Sequence, residues 1–301
     1  MNADKKIKIS NVIGKIILGL VLTVILFYVL IVLFLLVYGL INSLKPYPQF
    51  VDSTLAFPKG GVGEWDWKNY VDVFMAVSVP YPGLENEFVY FPEQLFNSMV
   101  YAGGCAFFST FIPCITAYGC AKFPYKFSKI LYVVVVAVMG LPIVGSLPSE
   151  IMMAQNLGLY DQMWGVWLMK ANFLGMYFLV FFASFQSLPK DFAEAARMDG
   201  ASNFRILFQI SLPMVRNTFF VVLLLKFIEF WNDYQTPMIY LRSFPTAALG
   251  IYSFSFSYGT QSSWPPMKIT GSMILLLPVL IVFLCFHDKM IGNVSMGGIK
   301  E

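Results

Sequence analysis

Charge is scarce in this sequence. Only 12% of its 301 residues are Asp, Glu, Lys or Arg, whereas 58% are hydrophobic and the mean hydropathy is +0.69. Soluble domains carry about 25% charged residues, because their surfaces face water. The low charge therefore excludes an ordinary soluble domain and indicates that lipid surrounds much of the folded chain.

Groups that perform catalysis or bind metals are also few. His287 is the only histidine and follows an apolar run, so we interpret it as an interfacial residue. The four cysteines have no metal-type spacing, which favours small buried side chains. They are Cys105, Cys114, Cys120 and Cys285. The phosphate-binding pattern G-x-x-x-x-G-K-[ST] does not occur, and we expect no catalytic residue, metal or cofactor on this chain.

Six apolar runs are long enough to cross a bilayer as helices of roughly 17 to 25 residues. The first is too long for the apolar part of a cleaved signal and no small-residue cleavage site follows it, so we expect it to remain as a helix. The sequence predicts an all-α integral membrane protein with six transmembrane helices. The predicted spans are residues 16–41, 95–121, 130–147, 164–187, 213–237 and 269–288.

The basic residues predict the orientation of these spans. Most lysines and arginines outside the runs lie in segments 1–15, 122–129, 188–212 and 289–301, which an even number of spans places on one side. Basic residues near helix ends favour the cytoplasm. We therefore expect both termini inside the cell. Residues 42–94 and 238–268 are predicted to form extracytoplasmic loops.

The polar segment 188–212 has the local signals of two short helices. Pro189 suits the first turn of a helix, Asp191 lies where exposed N–H groups favour negative charge, and Gly200 suits the helix end. Ser202 is predicted to cap the second helix. An alternative is an amphipathic connector on the inner leaflet, but the acidic residues in this segment oppose attraction to anionic lipid.

Side chains of the first short helix divide into two groups. Ala193, Ala196 and Gly200 are predicted to form a small face that enters a groove in a partner. Glu194 and Arg197 have the i, i+3 spacing of an ion pair. The segment is therefore predicted to be a stiff helical projection that contacts a cytoplasmic partner.

The stretch EAARMDGASNFRILFQISLP, residues 194–213, resembles a known family signature. Its EAA triplet, the glycine four residues after the triplet and the terminal ISLP match the EAA motif of membrane subunits of bacterial ABC importers. Other stretches, such as FNSMVYAGGCAFFSTF and FIEFWNDYQTPMIYL, are similar to the sugar-permease subfamily that includes the second permease of the maltose system. The resemblance implies the type I ABC importer permease fold, in the cell membrane of a bacterium.

The resemblance also implies partners and contact residues. The EAA segment would be the coupling helix, which docks on an ATPase subunit that carries ATP and Mg. Further implied partners are a second homologous permease, a second ATPase subunit and an extracytoplasmic solute-binding protein. The tail residues Gly297, Gly298 and Lys300 would lie against the ATPase pair. The implied coupling residues are Glu194, Ala195, Ala196, Arg197, Asp199, Gly200 and Ala201.

Charges inside the apolar runs indicate a polar pathway. Ionisable groups in hydrocarbon are costly unless they face a cavity or a partner. Lys226, Glu229 and Asp233 have the spacing of one helix face. Hydroxyls of a sugar donate and accept hydrogen bonds and its C–H faces stack on rings, so a carbohydrate suits such a pathway. The predicted pathway residues are Lys170, Asn172, Glu229, Trp231, Asn232 and Asp233.

Alternatives remain open for these charges and for the solute. Lys226 and Glu229 could form a purely structural ion pair. The solute could instead be a polyol or glycerol phosphate. An ion-coupled secondary transporter would use Glu229 and Asp233 as carrier carboxylates, and a membrane scaffold would have no pathway. Aromatic residues in the outer loops fit either a docking surface for a binding protein or a belt at the membrane interface.

Overall fold

The computed structural model describes residues 3–84, 86–123, 125–141, 145–256 and 264–291, and most of these residues are helical. Two compact units share the chain. The first comprises residues 1–73 and 258–274, and the second comprises residues 74–257 and 275–301. The tail positions Gly297, Gly298 and Lys300 lie outside the described residues, as does the side chain of His287.

The first unit begins with a long apolar helix, α1 (Ala3–Ser43). In its membrane-length part, Ile13–Ser43, the most apolar window buries no side chain, so that window is exposed on every face. A helix that is apolar all round requires an apolar environment. The helix contains the first predicted span and begins before it. The short helix α2 (Tyr47–Asp52) and a 3₁₀ turn (Val62–Glu64) follow.

A buried lysine holds the segment that follows α1. Lys45 is 1% exposed, and its ammonium donates to Asn42 Oδ1 at 3.0 Å and to the carbonyls of Ser53 and Thr54 at 3.0 and 3.2 Å. Asn69 Nδ2 donates to the carbonyl of Lys45 at 3.0 Å. Burial lowers the pKa of Lys45, since the charged form loses hydration. The three acceptors compensate for that loss, and the loop is thereby fastened to the end of α1.

The second unit is built around α4 (Phe91–Lys122), which contains the second predicted span. The helix α3 (Lys68–Ala76) and a hairpin of β1 (Ser78–Pro80) and β2 (Phe88–Tyr90) precede it, with Val79 opposite Val89. Small residues on α4 admit close neighbours. A Cβ at Gly104, for example, would overlap the ring of Trp167.

Polar side chains at the start of α4 fasten it to a distant loop. Asn97 Nδ2 donates to the carbonyl of Pro245 at 3.1 Å. Ser98 Oγ accepts the N–H of Ala247 at 2.7 Å and donates to the carbonyl of Gln94 at 2.9 Å. These residues are buried, so each polar atom requires such a partner. The start of α4 is therefore held against the segment at residues 245–247.

Several of the remaining helices pack on α4. Two clusters of buried side chains share its length, one around Tyr101 and Cys105 and the other around Cys114 and Tyr118. The helices that follow α4 are α5 (Lys126–Met139), α6 (Leu147–Asn156), α7 (Met163–Lys170), α8 (Met176–Gln186), α9 (Asp191–Met198), α10 (Asn203–Ile206), α11 (Leu212–Met214), α12 (Arg216–Trp231), α13 (Gln235–Tyr240), α14 (Ala247–Ser255) and α15 (Pro265–Ile291).

Two of the predicted spans are not continuous helices. The run at residues 164–187 is broken between α7 and α8, because Asn172 Oδ1 accepts the N–H of Leu174 and extended backbone follows at Gly175. The run at residues 213–237 contains α12, which stops at Trp231. Apolar character alone did not show these interruptions. In the predicted span at residues 130–147, α5 ends at Met139. Residues 142–144 of this span are not among the described residues.

Fewer of the described helices are long enough to cross a membrane than the six apolar runs of the sequence predict. Within the described residues, the helices Ile13–Ser43, Phe91–Lys122 and Pro265–Phe286 are each long and apolar enough to cross a bilayer. The segments Asn203–Met214 and Arg216–Trp231 would together make a fourth, with a bend of 75° between them. Shorter, broken helices therefore make up the rest of the apolar sequence.

The cysteines only partly follow the prediction. Cys105, Cys114 and Cys120 are buried in the packing of α4, as expected for small hydrophobic side chains. Cys285 is exposed, and the prediction of burial was wrong there. Its helix presents apolar side chains on its outer surface, where apolar character does not indicate burial within the protein.

Lys45→Met tests the buried lysine. The substitution removes three donors and leaves Asn42 Oδ1 and two carbonyls without them, at a cost of about 2 to 3 kcal/mol. We expect the Tm of the detergent-solubilised protein to fall by about 5 °C. Lys59→Met is the matched control. Lys59 is exposed, and its ion pair with Asp52, at 3.9 Å, contributes little to stability. Equal Tm values for both variants would contradict the structural role of Lys45.

Candidate functional site

The caps of the polar segment form where its sequence predicts them, but α9 begins at Asp191, so the prediction that Pro189 lies in its first turn was wrong. Helix α9 is followed by Gly200 at φ +79°, a conformation that glycine adopts without steric cost. The N–H of Gly200 donates to the carbonyl of Arg197 at 3.0 Å, and the N–H of Ala201 donates to that of Ala196 at 2.9 Å. This is the Schellman arrangement that closes a helix. Ser202 Oγ accepts the N–H of Arg205 at 3.3 Å and caps α10, as predicted.

The exposed surface of α9 differs from the expected small face. Ala193 and Ala196 are half-buried against the protein itself, so they are not the part that projects outward. Met198 is instead 89% exposed, and Phe204 on α10 is 76% exposed. Phe192 is also exposed. These apolar residues were missed, although their mixture with charged residues on a short amphipathic helix was a visible signal.

The charged residues of α9 do not form the expected ion pair. Glu194, Arg197 and Asp199 are exposed. Between positions 13 and 286, outside the gaps in the description, the ion pairs within 4.0 Å are Lys59–Asp52 and Lys226–Glu229. The predicted pair of Glu194 with Arg197 is therefore wrong for this conformation. Both side chains remain available for contacts with a partner.

The polar segment is joined to the helical core by a hydrogen bond and by packing. Lys122 at the end of α4 donates to the carbonyl of Leu188 at 3.1 Å. After α10 a π-helical turn (Leu207–Ser211) leads through α11 to the 75° bend before α12. Leu207 and Val215 on either side of this stretch are buried with Phe185 and Val222. Packed residues thus join the polar segment to the start of α12.

The intramembrane charges form one ion pair. The ammonium of Lys226 lies 2.9 and 3.1 Å from the two carboxylate oxygens of Glu229. It also lies 5.0 Å from the ring centre of Tyr177 and 5.6 Å from that of Phe230, both within the range of cation–π attraction. The lysine side chain is 17% exposed and that of the glutamate 55%. The cation is enclosed, whereas part of the carboxylate faces open space.

That open space is a cavity of about 390 Å³ between α4, α7, α8 and α12. The break at residues 171–175 forms part of its wall, which is where irregular backbone is tolerated at membrane depth. Pro113 on α4 has no N–H for the carbonyl of Ser109, one turn earlier, so this acceptor lacks its helical donor. The lining residues are Ser109, Pro113, Met169, Lys170, Asn172, Phe173, Leu174, Gly175, Met176, Tyr177, Phe178, Lys226, Glu229 and Phe230.

The structure brings only part of the predicted pathway together. Lys170, Asn172 and Glu229 line the cavity with Lys226. Ser109 and Tyr177 also line the cavity and were not predicted, because they come from α4 and α8 and no local sequence pattern distinguishes them. Ser109 Oγ donates to the carbonyl of Lys170 at 2.9 Å, which joins the two helices at the cavity wall.

The other predicted pathway residues lie elsewhere. Because α12 ends at Trp231, Asp233 lies beyond the helix and does not share a helix face with Lys226 and Glu229. Its Oδ1 accepts the N–H groups of Gln235 and Thr236 at 2.9 and 3.0 Å, and its Oδ2 accepts the hydroxyl of Tyr101 at 2.8 Å. Asp233 thereby caps α13 and fastens it to α4.

Trp231 and Asn232 also make local structural contacts. Trp231 is 2% exposed, and its Nε1 donates to the carbonyl of Leu275 on α15 at 3.1 Å. Asn232 is exposed, and its Nδ2 donates to the carbonyl of Ile228 at 2.8 Å. Neither residue lines the cavity of about 390 Å³.

An apolar helical chain with a capped polar projection and an internal polar cavity has the features of a membrane transport protein. Comparison with known families agrees. Residues 109–288 match the family described as binding-protein-dependent transport system inner membrane component, and the chain belongs to this family. The family is one of transport permeases rather than of catalysts. The matched region includes both the polar segment and the cavity.

Individual relatives show the same likeness. The arabinooligosaccharides transport system permease protein AraQ of Bacillus subtilis is 32% identical over 216 residues, which cover 70% of this chain and 74% of AraQ. The diacetylchitobiose uptake system permease protein NgcG of Streptomyces coelicolor is 25% identical over 265 residues, or 86% of this chain and 81% of NgcG.

A solved structure shows the likeness in fold. The crystal structure of a bacterial ABC transporter involved in the import of the acidic polysaccharide alginate contains a chain with a TM-score of 0.69 and 19% identity. The match covers 96% of this chain and 98% of the other. The predicted fold class, an all-α membrane permease of the type I ABC importer fold, is confirmed, and so is the resemblance to sugar importer permeases.

Asp233→Ala tests whether this carboxylate is structural. The change leaves the buried hydroxyl of Tyr101 and two N–H groups without an acceptor, at a cost of about 2 to 4 kcal/mol. We expect a Tm lower by about 5 to 10 °C in detergent. Asn232→Ala is the control and is expected to melt like the wild type, because it removes one exposed contact. An unchanged Tm for Asp233→Ala, with slower transport, would instead assign Asp233 to the solute.

Proposed function

We propose that this chain forms half of the translocation pathway of a binding-protein-dependent ABC importer for an oligosaccharide or a related sugar. The observation that carries the proposal is the cavity lined by Asn172, Glu229 and Tyr177 in a chain whose family members AraQ and NgcG are named for saccharides. Amide and carboxylate groups suit sugar hydroxyls, and the ring suits a sugar C–H face.

The polar segment is proposed as the contact with a separate ATPase subunit, which would hold ATP and Mg. Its exposed surface combines Met198 and Phe204 with Glu194 and Asp199. Exposed apolar residues within a charged rim are typical of protein interfaces. The proposed coupling residues remain Glu194, Ala195, Ala196, Arg197, Asp199, Gly200 and Ala201.

The rest of the assembly is proposed from the family and the charge distribution. A second homologous permease would complete the pathway, two ATPase subunits would drive it, and an extracytoplasmic solute-binding protein would deliver the sugar. The basic residues favour cytoplasmic termini and a polar segment inside a bacterial cell. The tail contact through Gly297, Gly298 and Lys300 stays a prediction.

An ion-coupled mechanism has less support. A carrier carboxylate must gain and lose its proton or ion freely during transport. Glu229 is paired with Lys226, and Asp233 holds a helix start and the hydroxyl of Tyr101. Neither group is therefore free in the way that a carrier requires.

The transport activity is tested in proteoliposomes that contain the permease pair, the ATPase and the binding protein. We expect uptake of a saccharide only when ATP is present on the side of the membrane that carries the ATPase. A protonophore is expected to have no effect on this uptake. Uptake that continues without ATP and stops with the protonophore would overturn the proposal and favour the ion-coupled alternative.

Met198→Asp tests the proposed ATPase contact. The side chain is 89% exposed, so folding should be unaffected, whereas a charge would disrupt an apolar contact at an interface. We expect at least a tenfold loss of ATPase subunit co-purified with the permease, equivalent to about 1.4 kcal/mol or more. Met75→Asp is the matched control, since Met75 is 76% exposed on α3. Equal co-purification by both variants would place the ATPase contact elsewhere.

A further inference from the structure

The cavity carries an uneven set of charges. Its wall contains one carboxylate, Glu229, and two ammonium groups, Lys170 and Lys226. The single carboxylate is matched by one of these lysines, because both of its oxygens lie within 3.1 Å of Lys226 Nζ. One positive charge is therefore left over in the wall.

The two lysines have different surroundings. Lys226 is enclosed by Glu229 and by the rings of Tyr177 and Phe230, so its charge is already compensated. Lys170 is half-buried at the end of α7, and within the described part of the chain its ammonium has no hydrogen-bond acceptor or carboxylate partner. A half-buried cation without a partner loses hydration and gains nothing in return. It is the group in the wall that a ligand anion would satisfy.

The backbone of the wall has the same polarity. Helix α8 begins at Met176, and residues 174–178 line the cavity, so the positive end of the helix dipole faces the same space. Interrupted helices with this arrangement are used by transporters to hold anionic groups of solutes. The dipole adds to Lys170 and would not by itself define a site.

We infer that the cavity accepts a saccharide that carries one anionic substituent, with Lys170 binding the anion while Asn172, Glu229 and Tyr177 contact the sugar hydroxyls and ring face. The inference rests on the proposed function and specifies its substrate class. A carboxylate or a phosphate on the sugar would satisfy Lys170 in the same way. A volume of about 390 Å³ is in the range of small-molecule sites.

The test uses the permease in its complex with the second permease and the ATPase, embedded in lipid nanodiscs. Matched sugars differ only at C6: glucose and glucuronate, galactose and galacturonate, mannose and mannuronate, with glucose 6-phosphate to separate phosphate from carboxylate. Calorimetric titration at low salt measures each affinity. We expect at least one acidic sugar to bind about tenfold tighter than its neutral partner, the typical effect of one charge-assisted hydrogen bond.

Variants assign the effect to Lys170. Lys170→Met is expected to remove the tenfold preference for the acidic sugar, and Lys170→Arg to retain it. Lys129→Met removes a lysine from the exposed start of α5 and is expected to change nothing. Retention of the preference in Lys170→Met would overturn the assignment of Lys170.

Two further outcomes would overturn the substrate class. One is equal or tighter binding of every neutral sugar, and the other is no binding by any of the sugars tested. The proposed function is judged separately by ATP-dependent uptake in proteoliposomes. ATP-dependent uptake of a neutral saccharide, with no preference for acidic sugars, would support the proposed importer function and reject only this inference.

Discussion

The structure depends on the requirement that polar groups at membrane depth find partners within the protein, because lipid supplies none. Three polar side chains within the predicted spans or beside them illustrate it. Tyr101 donates to Asp233, Ser109 donates to the carbonyl of Lys170, and Lys226 is held by Glu229. The first two contacts connect α4 to the start of α13 and to the end of α7, so the same bonds that remove the cost of burial also fix where these helices meet.

The cavity follows from the places where this requirement is met only in part. Pro113 leaves the carbonyl of Ser109 without its helical donor, and the break at residues 171–175 interrupts the regular bonding between α7 and α8. Both irregularities lie in the wall of one cavity. Incomplete hydrogen bonding lowers the stability of the folded protein. Under the proposed function, a solute with hydroxyls and charge would complete this bonding.

The polar segment obeys a different constraint because it lies outside the apolar runs. Its stiffness comes from local chemistry, with Gly200 closing α9 and Ser202 opening α10. Its connection to the core comes from packing around Leu207 and Val215. The exposed segment is therefore closed by its own caps, and packed residues connect it to α12.

The sequence by itself determined the membrane class, the family and the helix caps at Gly200 and Ser202, because apolar runs, motifs and capping residues act over a few positions along the chain. Tertiary structure decided that Lys170 joins Lys226 in one cavity, and that Asp233 caps a helix instead. It also turned Ala196 partly inward. These outcomes depend on where α7 breaks, where α12 ends and which helix faces meet, and those are set by packing between segments far apart in the chain.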